Sequence, residues 1–438
     1  MLKTAKFGGS SVAAAEQFRK VKKIIESDPS RRIVISSAAG KRDSNDHKLT
    51  DLLYLCHAHL EYGVSCDEIM DTIENRFTGI RDELGLEYDV EGEFASLRAS
   101  LSRDMPVDVL VSRGEYFTSK LLAEYLGYEF VDAMDCIFFG IDGQIDTERS
   151  YAAIAEAVEK YQRVVIPGFY GRSPTGRVKL MSRGGSDITG ALAAAAVNAD
   201  VYENWTDVSG ILMADPRIVD NPKPIPRITY GELRELAFMG ASVLHEESIM
   251  PVKEKGIALN IKNTNAPGDP GTMIVDKIAE EETEQERFIT GIAGRRNFSI
   301  ITVRKRNMNT SETLRRALEI LDRYKASVEH ITLGLDSFAF VTSTAALGDR
   351  IYDVMSDIQK SCRPDDVQVN EGIALVAAVG RKMTFRPGIS GKLFRALGEH
   401  DINIRTIAQG ADELSIIVGV ENSKFETAIR VLYDGFAG

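Results

Sequence analysis

The sequence has few of the residues that mark several protein classes. Its 438 residues include only four cysteines, one tryptophan and six histidines. The cysteines are scattered at Cys56, Cys66, Cys136 and Cys362. They form no C-x-x-C pair and have no histidine cluster beside them, which argues against a disulfide framework and a structural zinc site. The dispersed histidines also suggest no Ser-His-Asp or Cys-His arrangement, so hydrolases of those types are not indicated.

Long apolar runs and an excess of positive charge are lacking as well. The most apolar stretch, residues 190–197, is far too short to cross a bilayer, and the first residues contain no apolar core of a signal peptide. Acidic residues outnumber basic ones by 65 to 53, for a net charge of −12. Such a surface disfavours nucleic acid and anionic membranes as partners. We therefore expect a cytoplasmic protein with neither partner, in which any phosphate site is local.

The first two thirds of the chain alternate between predicted strands and helices. Strands are predicted over residues 2–7, 33–35, 107–111, 128–131, 163–166 and 200–204. The helical stretches between them include 51–103 and 187–199, and Pro174-Thr175-Gly176 predicts a hairpin. This alternation is typical of an α/β fold with a mostly parallel sheet covered on both faces. Ligands of such sheets bind beyond the carboxyl ends of the strands.

The last third contains an internal repeat at an offset of 76 residues. Residues 298–305 match 374–381, and 331–334 match 407–410. Each copy reads strand, helix, strand, strand, helix, which indicates a duplicated ferredoxin-like module. An acidic segment with few turn residues, 276–289, precedes the repeat and is expected to be a linker or a linking helix. The predicted domains are 1–280, 295–370 and 371–438.

Two glycine-rich turns have the pattern of a phosphate cradle. In the first, Lys6 precedes Gly8, Gly9 and Ser10, where a predicted strand meets a predicted helix. Adjacent glycines let backbone N–H groups approach an anion, while the helix N-terminus and the lysine add positive charge. The Walker A and G-x-G-x-x-G spacings are both missing. Taken alone, the turn is therefore equally explained as a glycine turn beside a surface lysine.

The second turn repeats this arrangement. Arg183, Gly184, Gly185 and Ser186 precede a predicted helix that opens with Asp187. Ser-Asp is also a common helix cap, and Gly-Gly alone can end a hairpin. Two such turns, each beside a cation, favour two walls of one site for anionic groups.

Charged residues follow other predicted strands. Thr206 and Asp207 come directly after strand 200–204, where a carboxylate can position a lysine or a metal-bound phosphate. A D-P-R segment then ends at Arg217, which can bind phosphate oxygens in bidentate fashion or belong to a solvated turn. Glu115 either receives a substrate ammonium or places negative charge in the first turn of a helix.

The ordered set of motifs resembles the aspartokinase family. K-F-G-G-S-S near residue 6, R-G-E at 113, S-R-G-G-S-D at 182, W-T-D-V-S-G-I at 205 and D-P-R at 215 precede the doubled module. The resemblance covers essentially the whole chain. It implies a three-layer α/β/α amino-acid-kinase domain followed by two ACT modules. It also implies phosphorylation of L-aspartate by ATP, with Mg²⁺, to 4-phospho-L-aspartate on the route to lysine, threonine, methionine and isoleucine.

The resemblance assigns roles to the residues that match its motifs. Lys6 and Asp207 would be catalytic, with Lys6 neutralising charge on the phosphoryl group and Asp207 orienting Lys6. The nucleotide side would comprise Lys6, Gly8, Gly9, Ser10, Thr206, Asp207 and Arg217. Aspartate would contact Thr50, Glu115, Arg183, Gly184, Gly185 and Ser186. Leu212 stands where the family often has a tyrosine, which leaves the adenine contacts open.

The implied chemistry agrees with the motifs present. The nucleophile is a carboxylate that is already ionised at pH 7, so the reaction requires no histidine base. The difficulty is to bring an anion against a polyanion and to stabilise charge on the transferring group. No cluster of carboxylates suggests a protein metal site, so we expect Mg²⁺ to be held mainly by ATP phosphates and water.

For the doubled module, the resemblance implies feedback by an amino acid, with lysine favoured and threonine as the other candidate. Residues 308–314 and 327–330 correspond to the effector loop and facing strand of lysine-sensitive members. The candidate contacts are Met308, Ser311 and Glu329. An ordinary helix cap and a solvated glutamate are the alternative explanation. Such modules commonly pair edge to edge, which predicts a homodimer.

Two other functions compete with this interpretation. One is another amino-acid kinase of the same fold, such as a glutamate 5-kinase, whose usual C-terminal partner is not a doubled module of this kind. The other is a non-catalytic amino-acid sensor. The presence together of Lys6, Glu115, Arg183 and Asp207 argues against a decayed kinase.

Overall fold

The computed structural model describes two compact units. The first comprises Met1–Ile211, Pro224–Tyr230 and Val243–Ala279, and the second comprises Leu212–Lys223, Gly231–Ser242 and Glu280–Gly438. Two segments of the predicted first domain thus belong to the second unit. The description covers the chain except residues 183, 242–243, 245, 279–287, 308, 382, 384–386, 411 and 438, and the side chains of 246 and 247. Most of the predicted linker lies outside the described residues.

The first unit is built on an eight-stranded sheet with the order β3-β4-β2-β1-β7-β9-β10-β8. Its strands are β1 (Lys3–Phe7), β2 (Arg31–Ser36), β3 (Glu129–Phe130), β4 (Val164–Pro167), β7 (Val201–Thr206), β8 (Arg227–Thr229), β9 (Ala258–Asn263) and β10 (Thr272–Val275). All neighbouring strands are parallel except β9 and β10. The predicted hairpin is also present, as β5 (Tyr170–Arg172) and β6 (Val178–Leu180).

Helices cover both faces of this sheet. They are α1 (Ala15–Glu26), α2 (Leu49–Glu61), α3 (Asp67–Leu84), α4 (Val90–Ser100), α5 (Val107–Val111), α6 (Arg113–Leu126), α7 (Ala133–Cys136), α8 (Thr147–Tyr161), α9 (Gly185–Ala196) and α11 (Glu246–Glu254). The helix between α9 and α11 in the chain, α10 (Tyr230–Phe238), belongs to the second unit from Gly231 onwards. Alternate strand residues point to opposite cores: Val34 packs with α1 to α6, whereas Ile33 and Ile35 pack with α8 and α9. The predicted three-layer α/β/α architecture is confirmed.

One strand prediction is wrong. Residues 107–111 form helix α5, which leads almost directly into α6. An apolar run of five residues does not distinguish a strand from a buried helical turn. Here Pro106 occupies the position before the first helical residue, and Leu110 and Val111 are buried in the helical layer. Glu115 therefore lies in the first turn of α6 rather than after a strand.

The second unit contains an antiparallel six-stranded sheet with the order β12-β13-β11-β14-β16-β15. Its strands are β11 (Gly291–Arg304), β12 (Val328–Leu333), β13 (Ser337–Ser343), β14 (Asp366–Val379), β15 (Thr406–Gln409) and β16 (Ser415–Glu421). Its helices are α12 (Thr310–Arg323), α13 (Thr344–Leu347), α14 (Ile351–Cys362), α15 (Ile389–Gly398) and α16 (Phe425–Ala437).

The repeat appears in this sheet as two interlocked modules. The second half of β11 lies between β13 and the start of β14, whereas its first half, residues 291–295, pairs with residues 375–379 of β14. Residues that precede the first module thus supply the last strand of the second. Both modules consequently have the ferredoxin-like strand order. None of the helices that the structure describes is long and apolar enough to cross a membrane.

Candidate active site

A cavity of about 650 Å³ lies at the carboxyl edge of the sheet in the first unit. The loops that follow β1, β2, β4 and β7 all contribute to it, as expected for a mostly parallel α/β sheet. It is lined by Lys6, Gly9, Ser10, Ser37, Ala38, Ala39, Gly40, Lys41, Lys48, Thr50, Glu115, Phe169, Gly184, Gly185, Ser186, Asp187 and Asp207. The structure therefore brings together both glycine-rich turns, Thr50, Glu115 and Asp207.

Lys6 lies near the end of β1 and is only 7% exposed. Its Nζ is 2.6 Å from Oδ1 of Asp187, in the first turn of α9. The same oxygen accepts a hydrogen bond of 2.8 Å from the side-chain amide of Asn204, which is paired with Lys6 in the sheet register. The resemblance had suggested Asp207 as the residue that orients Lys6. In the structure, Asp187 holds the ammonium, and Asp207 is an exposed residue of the cavity wall.

The turns after β1 and β2 approach each other more closely than side chains would allow. The N–H of Gly40 donates to the carbonyl of Gly9 at 2.8 Å. A Cβ atom on Gly40 would lie only 2.6 Å from the carbonyl carbon of Gly9. This contact therefore leaves no room for a side chain, and only glycine fits at position 40. Gly40 was not singled out from the sequence, although its position after predicted strand 33–35 was a usable signal.

The second glycine-rich turn begins helix α9. Gly184 has φ +77°, a left-handed conformation that suits glycine, and the helix starts at Gly185. Because Gly184, Gly185 and Ser186 all line the cavity, the helix presents its N-terminus to that space. The partial positive charge of a helix N-terminus favours an anion there. Arg183, the predicted cation of this turn, lies outside the described residues.

Glu115 is a buried carboxyl group on the cavity wall, with 4% of its surface exposed. The backbone N–H of Ala38 donates to the carboxylate, but desolvation outweighs this contact and raises the pKa of Glu115 to about 8. Among the residues that the structure describes, its Oε2 has no hydrogen-bond partner. A buried polar atom without a partner is costly, so this oxygen is suited to a cationic group of a ligand.

Lys41 and Lys48 are cavity residues that sequence reasoning missed. They flank a polar loop whose charges resemble an ordinary solvated surface, and both side chains are exposed. The available signal was their position between Gly40 and Thr50, which is the second residue of α2. Together with Lys6, they give the described part of the cavity wall three ammonium groups, alongside the acidic residues Glu115, Asp187 and Asp207.

Three predicted nucleotide residues do not line the cavity. The N–H of Gly8 donates to the carbonyl of Trp205 at 2.9 Å, and Thr206 donates through Oγ1 to Oδ1 of Asp207 at 3.2 Å. Each is the direct neighbour of a lining residue. Arg217 belongs to the second unit, where its 87% exposed side chain pairs with Asp215.

The predicted effector residues lie in the second unit. Ser311 is exposed in the first turn of α12, and Met308 lies outside the described residues. The side chain of Glu329 is 9% exposed and lies 3.6 Å from Nη1 of Arg295. The alternative of a solvated glutamate is therefore wrong. Within the described part of the chain, no group of three or more His, Cys, Asp or Glu side chains is arranged to hold a metal ion.

Comparisons with known proteins agree with this architecture. Residues 1–263 match the model of the amino acid kinase family, and residues 376–436 match that of an ACT domain. The fold and the site thus define an amino acid kinase with a C-terminal ACT region. The chain is 34% identical to aspartokinase 3 of Bacillus subtilis over 99% of its own length and 98% of that protein. It belongs to the aspartokinase family.

Solved structures show the same similarity. Aspartate kinase of Clostridium acetobutylicum is 46% identical, with a TM-score of 0.91 and 99% of both chains covered. Aspartokinase III of Escherichia coli, solved with aspartate and ADP, is 28% identical, with a TM-score of 0.75 and 99% of both chains covered. The same E. coli enzyme has also been solved with lysine and aspartate, at the same identity and TM-score and with both chains fully covered.

Proposed function

We propose that the cavity of the first unit catalyses phosphoryl transfer from ATP to the side-chain carboxylate of L-aspartate, giving 4-phospho-L-aspartate and ADP. The observation that carries this proposal is the buried Oε2 of Glu115, which has no hydrogen-bond partner among the described residues and lies in a cavity that three lysines and two glycine-rich turns also line. A substrate with one ammonium group and two carboxylates complements that combination. Glu115 binds the ammonium, while Thr50 and the Gly184–Ser186 turn bind carboxylate oxygens.

Positive charge at fixed positions accounts for the catalysis. The attacking carboxylate needs no base, because it is ionised at neutral pH. Lys6 neutralises charge that develops on the transferring group, and Asp187 and Asn204 hold Lys6 in place before substrate arrives. Backbone N–H groups at Gly9 and Ser10 and the N-terminus of α9 contribute further positive potential.

The remaining nucleotide contacts follow from the same edge of the sheet. Asp207 faces the cavity and is tied to Thr206, while Gly8 lies one residue before the cavity-lining turn. We assign these residues to the nucleotide side; Arg217, to which the family resemblance gives the same role, belongs to the second unit. Mg²⁺ bound with the ATP phosphates would supply additional positive charge, and Asp187 and Asp207 are the two carboxylates suited to contact it or its water ligands.

We further propose that the second unit senses an amino acid, with lysine favoured over threonine. Glu329 and Ser311 are the described candidate contacts, beside Met308. Because Glu329 is nearly buried and lies close to Arg295, a lysine ε-ammonium would have to take the place of that guanidinium. Glu329→Ala should weaken lysine inhibition more than threonine inhibition. An equal effect on both effectors would contradict this contact.

A homodimer formed through the edge strands of the second unit is also proposed. β12 is an edge strand of its sheet and exposes Ile331 and Leu333, and Leu335 just beyond it is 91% exposed. Unpaired backbone groups beside apolar side chains favour pairing with a second edge. Leu333→Lys should shift the sedimentation mass towards the monomer, and an unchanged mass would refute this interface. We place the enzyme in the cytoplasm, since all four cysteines are buried and free.

The reaction is tested by ADP formation with ATP, Mg²⁺ and a panel of amino acids that includes aspartate and glutamate. Aspartate-dependent turnover is expected, with an acyl-phosphate product that hydroxylamine traps. Turnover with glutamate alone would instead support a related kinase. A folded sample without any amino-acid-dependent turnover would support a sensor. Adding lysine, threonine and methionine singly and together tests the regulator in the same assay.

A further inference from the structure

The loop between β2 and α2 forms a closed unit on the wall of the cavity. The N–H of Leu49 donates to the carbonyl of Ala39 at 3.4 Å, so the two ends of the loop meet. Within it, Gly40, Lys41 and Lys48 line the cavity. The loop thus resembles an Ω-loop, a compact surface loop whose ends are close together.

Arg76 on α3 holds both ends of this loop. Its side chain is 3% exposed. Nη1 donates to the carbonyl of His47 at 2.8 Å, and Nη2 donates to the carbonyl of Gly40. The carboxylate of Asp46 lies 3.5 Å from Nη2. One guanidinium group therefore fixes the residues next to both cavity lysines.

Burying a charged arginine side chain on α3 is energetically unfavourable. The other buried residues of α3 are Met70, Ile73, Phe77 and Ile80, so an apolar residue would suit the position. Burial lowers the pKa of Arg76, and its Nε has no hydrogen-bond partner in the described part of the chain. Removing a charged group from water carries a substantial cost. A role that requires a donor to two separate carbonyls explains why the charge is there.

The same contact reaches the first glycine-rich turn. Gly40 accepts from Arg76 through its carbonyl and donates through its N–H to the carbonyl of Gly9 at 2.8 Å. Arg76 therefore positions the Gly40 region that packs against the turn following Lys6.

We propose that Arg76 is a positioning residue that places Lys41 and Lys48 on the cavity wall, where their ammonium groups bind anionic oxygens of the bound substrates. These oxygens belong either to the phosphates of ATP or to the carboxylates of aspartate. The inference rests on the proposed function, since it concerns the substrates of that reaction.

The test compares Arg76→Met, Arg76→Lys, Lys41→Met, Lys48→Met and the double lysine variant in steady-state kinetics. The double lysine variant should raise the KM for one substrate about tenfold, which equals ~1.4 kcal/mol, with a smaller effect on kcat. The substrate whose KM rises identifies the bound anion. Arg76→Met should raise the same KM, and Arg76→Lys should restore part of the loss.

A double-mutant cycle separates positioning from general stability. If Arg76 acts through the two lysines, adding Arg76→Met to the double lysine variant should produce little further increase in that KM. Arg98→Met is the matched control. Arg98 forms ion pairs with Asp71 and Glu74 on α3 but does not line the cavity. The Arg98→Met variant should be less stable than the wild type, while its KM values for ATP and aspartate stay unchanged.

Two results would overturn the proposal: unchanged KM values in the double lysine variant, or a KM effect of Arg76→Met that adds fully to it. If Arg76→Met does not fold, the lysine variants and Arg76→Lys carry the same comparison. Calorimetric titration of ATP or aspartate into the wild type and the lysine variants measures the contribution of the loop to the affinity for each substrate, and it does not depend on turnover. Lack of wild-type turnover would therefore refute the proposed reaction without deciding the role of the loop.

Discussion

Replacing Glu115 by glutamine should make the first unit more stable while impairing its use of aspartate. Burial raises the pKa of this carboxyl group to about 8, from 4.5 for a glutamate in water. A glutamate with a raised pKa contributes its full stability below pH 4.5 and loses that contribution as the pH rises towards 8. Glutamine keeps the shape but does not titrate. The advantage of the Glu115→Gln variant should therefore grow with pH.

The size of the effect follows from the shift. A shift of roughly 3.5 pKa units corresponds to about 5 kcal/mol between the two limits, at 1.36 kcal/mol per unit. Between pH 6 and pH 8, the difference in unfolding free energy between variant and wild type should increase by about 2 kcal/mol. The affinity of the variant for aspartate, in contrast to its stability, should decrease. The variant cannot pair an ionised carboxylate with the ammonium of aspartate, so its KM for aspartate should rise.

Urea unfolding followed by tryptophan fluorescence measures this prediction. Trp205 is the only tryptophan in the sequence and is 1% exposed in the first unit, so its emission reports the unfolding of that unit. Glu68→Gln, on the exposed side of α3, is the matched control and should show no growing difference. A stability difference between Glu115→Gln and wild type that stays constant from pH 6 to pH 8, or shrinks, would refute the assignment of a raised pKa by burial.

Three further predictions concern the charged and glycine positions of the first unit. Lys6→Met should lower kcat by about 10²–10³-fold in a folded protein, because it removes fixed charge from the transferring group; unchanged kcat would remove Lys6 from the mechanism. Gly40→Ala should weaken ATP or aspartate binding and lower the urea midpoint, because its Cβ would press on the backbone of Gly9; wild-type values for both would contradict the close contact. Glu203→Gln should destabilise the first unit by about 3–5 kcal/mol at pH 7, because it leaves Arg31 and Lys3 without their shared buried carboxylate. Since the pKa of Glu203 is lowered in the folded protein, this loss should diminish as acid protonates the wild type, and a loss that grows below pH 4 would argue against it.

Local sequence patterns were sufficient for much of the architecture. The apolar run 33–35 predicted a strand, and the alternation of strands and helices predicted a parallel sheet covered on both faces. β2 is buried on both faces in this way, with Val34 in one core and Ile33 in the other. The repeat at 76 residues predicted matching strands, and β11 and β14 occupy equivalent places. The segment 107–111 misled the prediction because its helical form depends on packing against neighbouring helices rather than on its own residues.

The sequence by itself determined which chemical groups were candidates for the site: two glycine-rich turns, Lys6, and the carboxylates of Glu115 and Asp207. Only the tertiary structure decided which of them meet. Asp187 rather than Asp207 pairs with Lys6, because sheet register sets Asn204 and the start of α9 beside β1. Arg76 reaches Gly40 and His47 from 36 and 29 residues away. Pairings over such separations depend on how helices and strands pack, and no local pattern of residues encodes them.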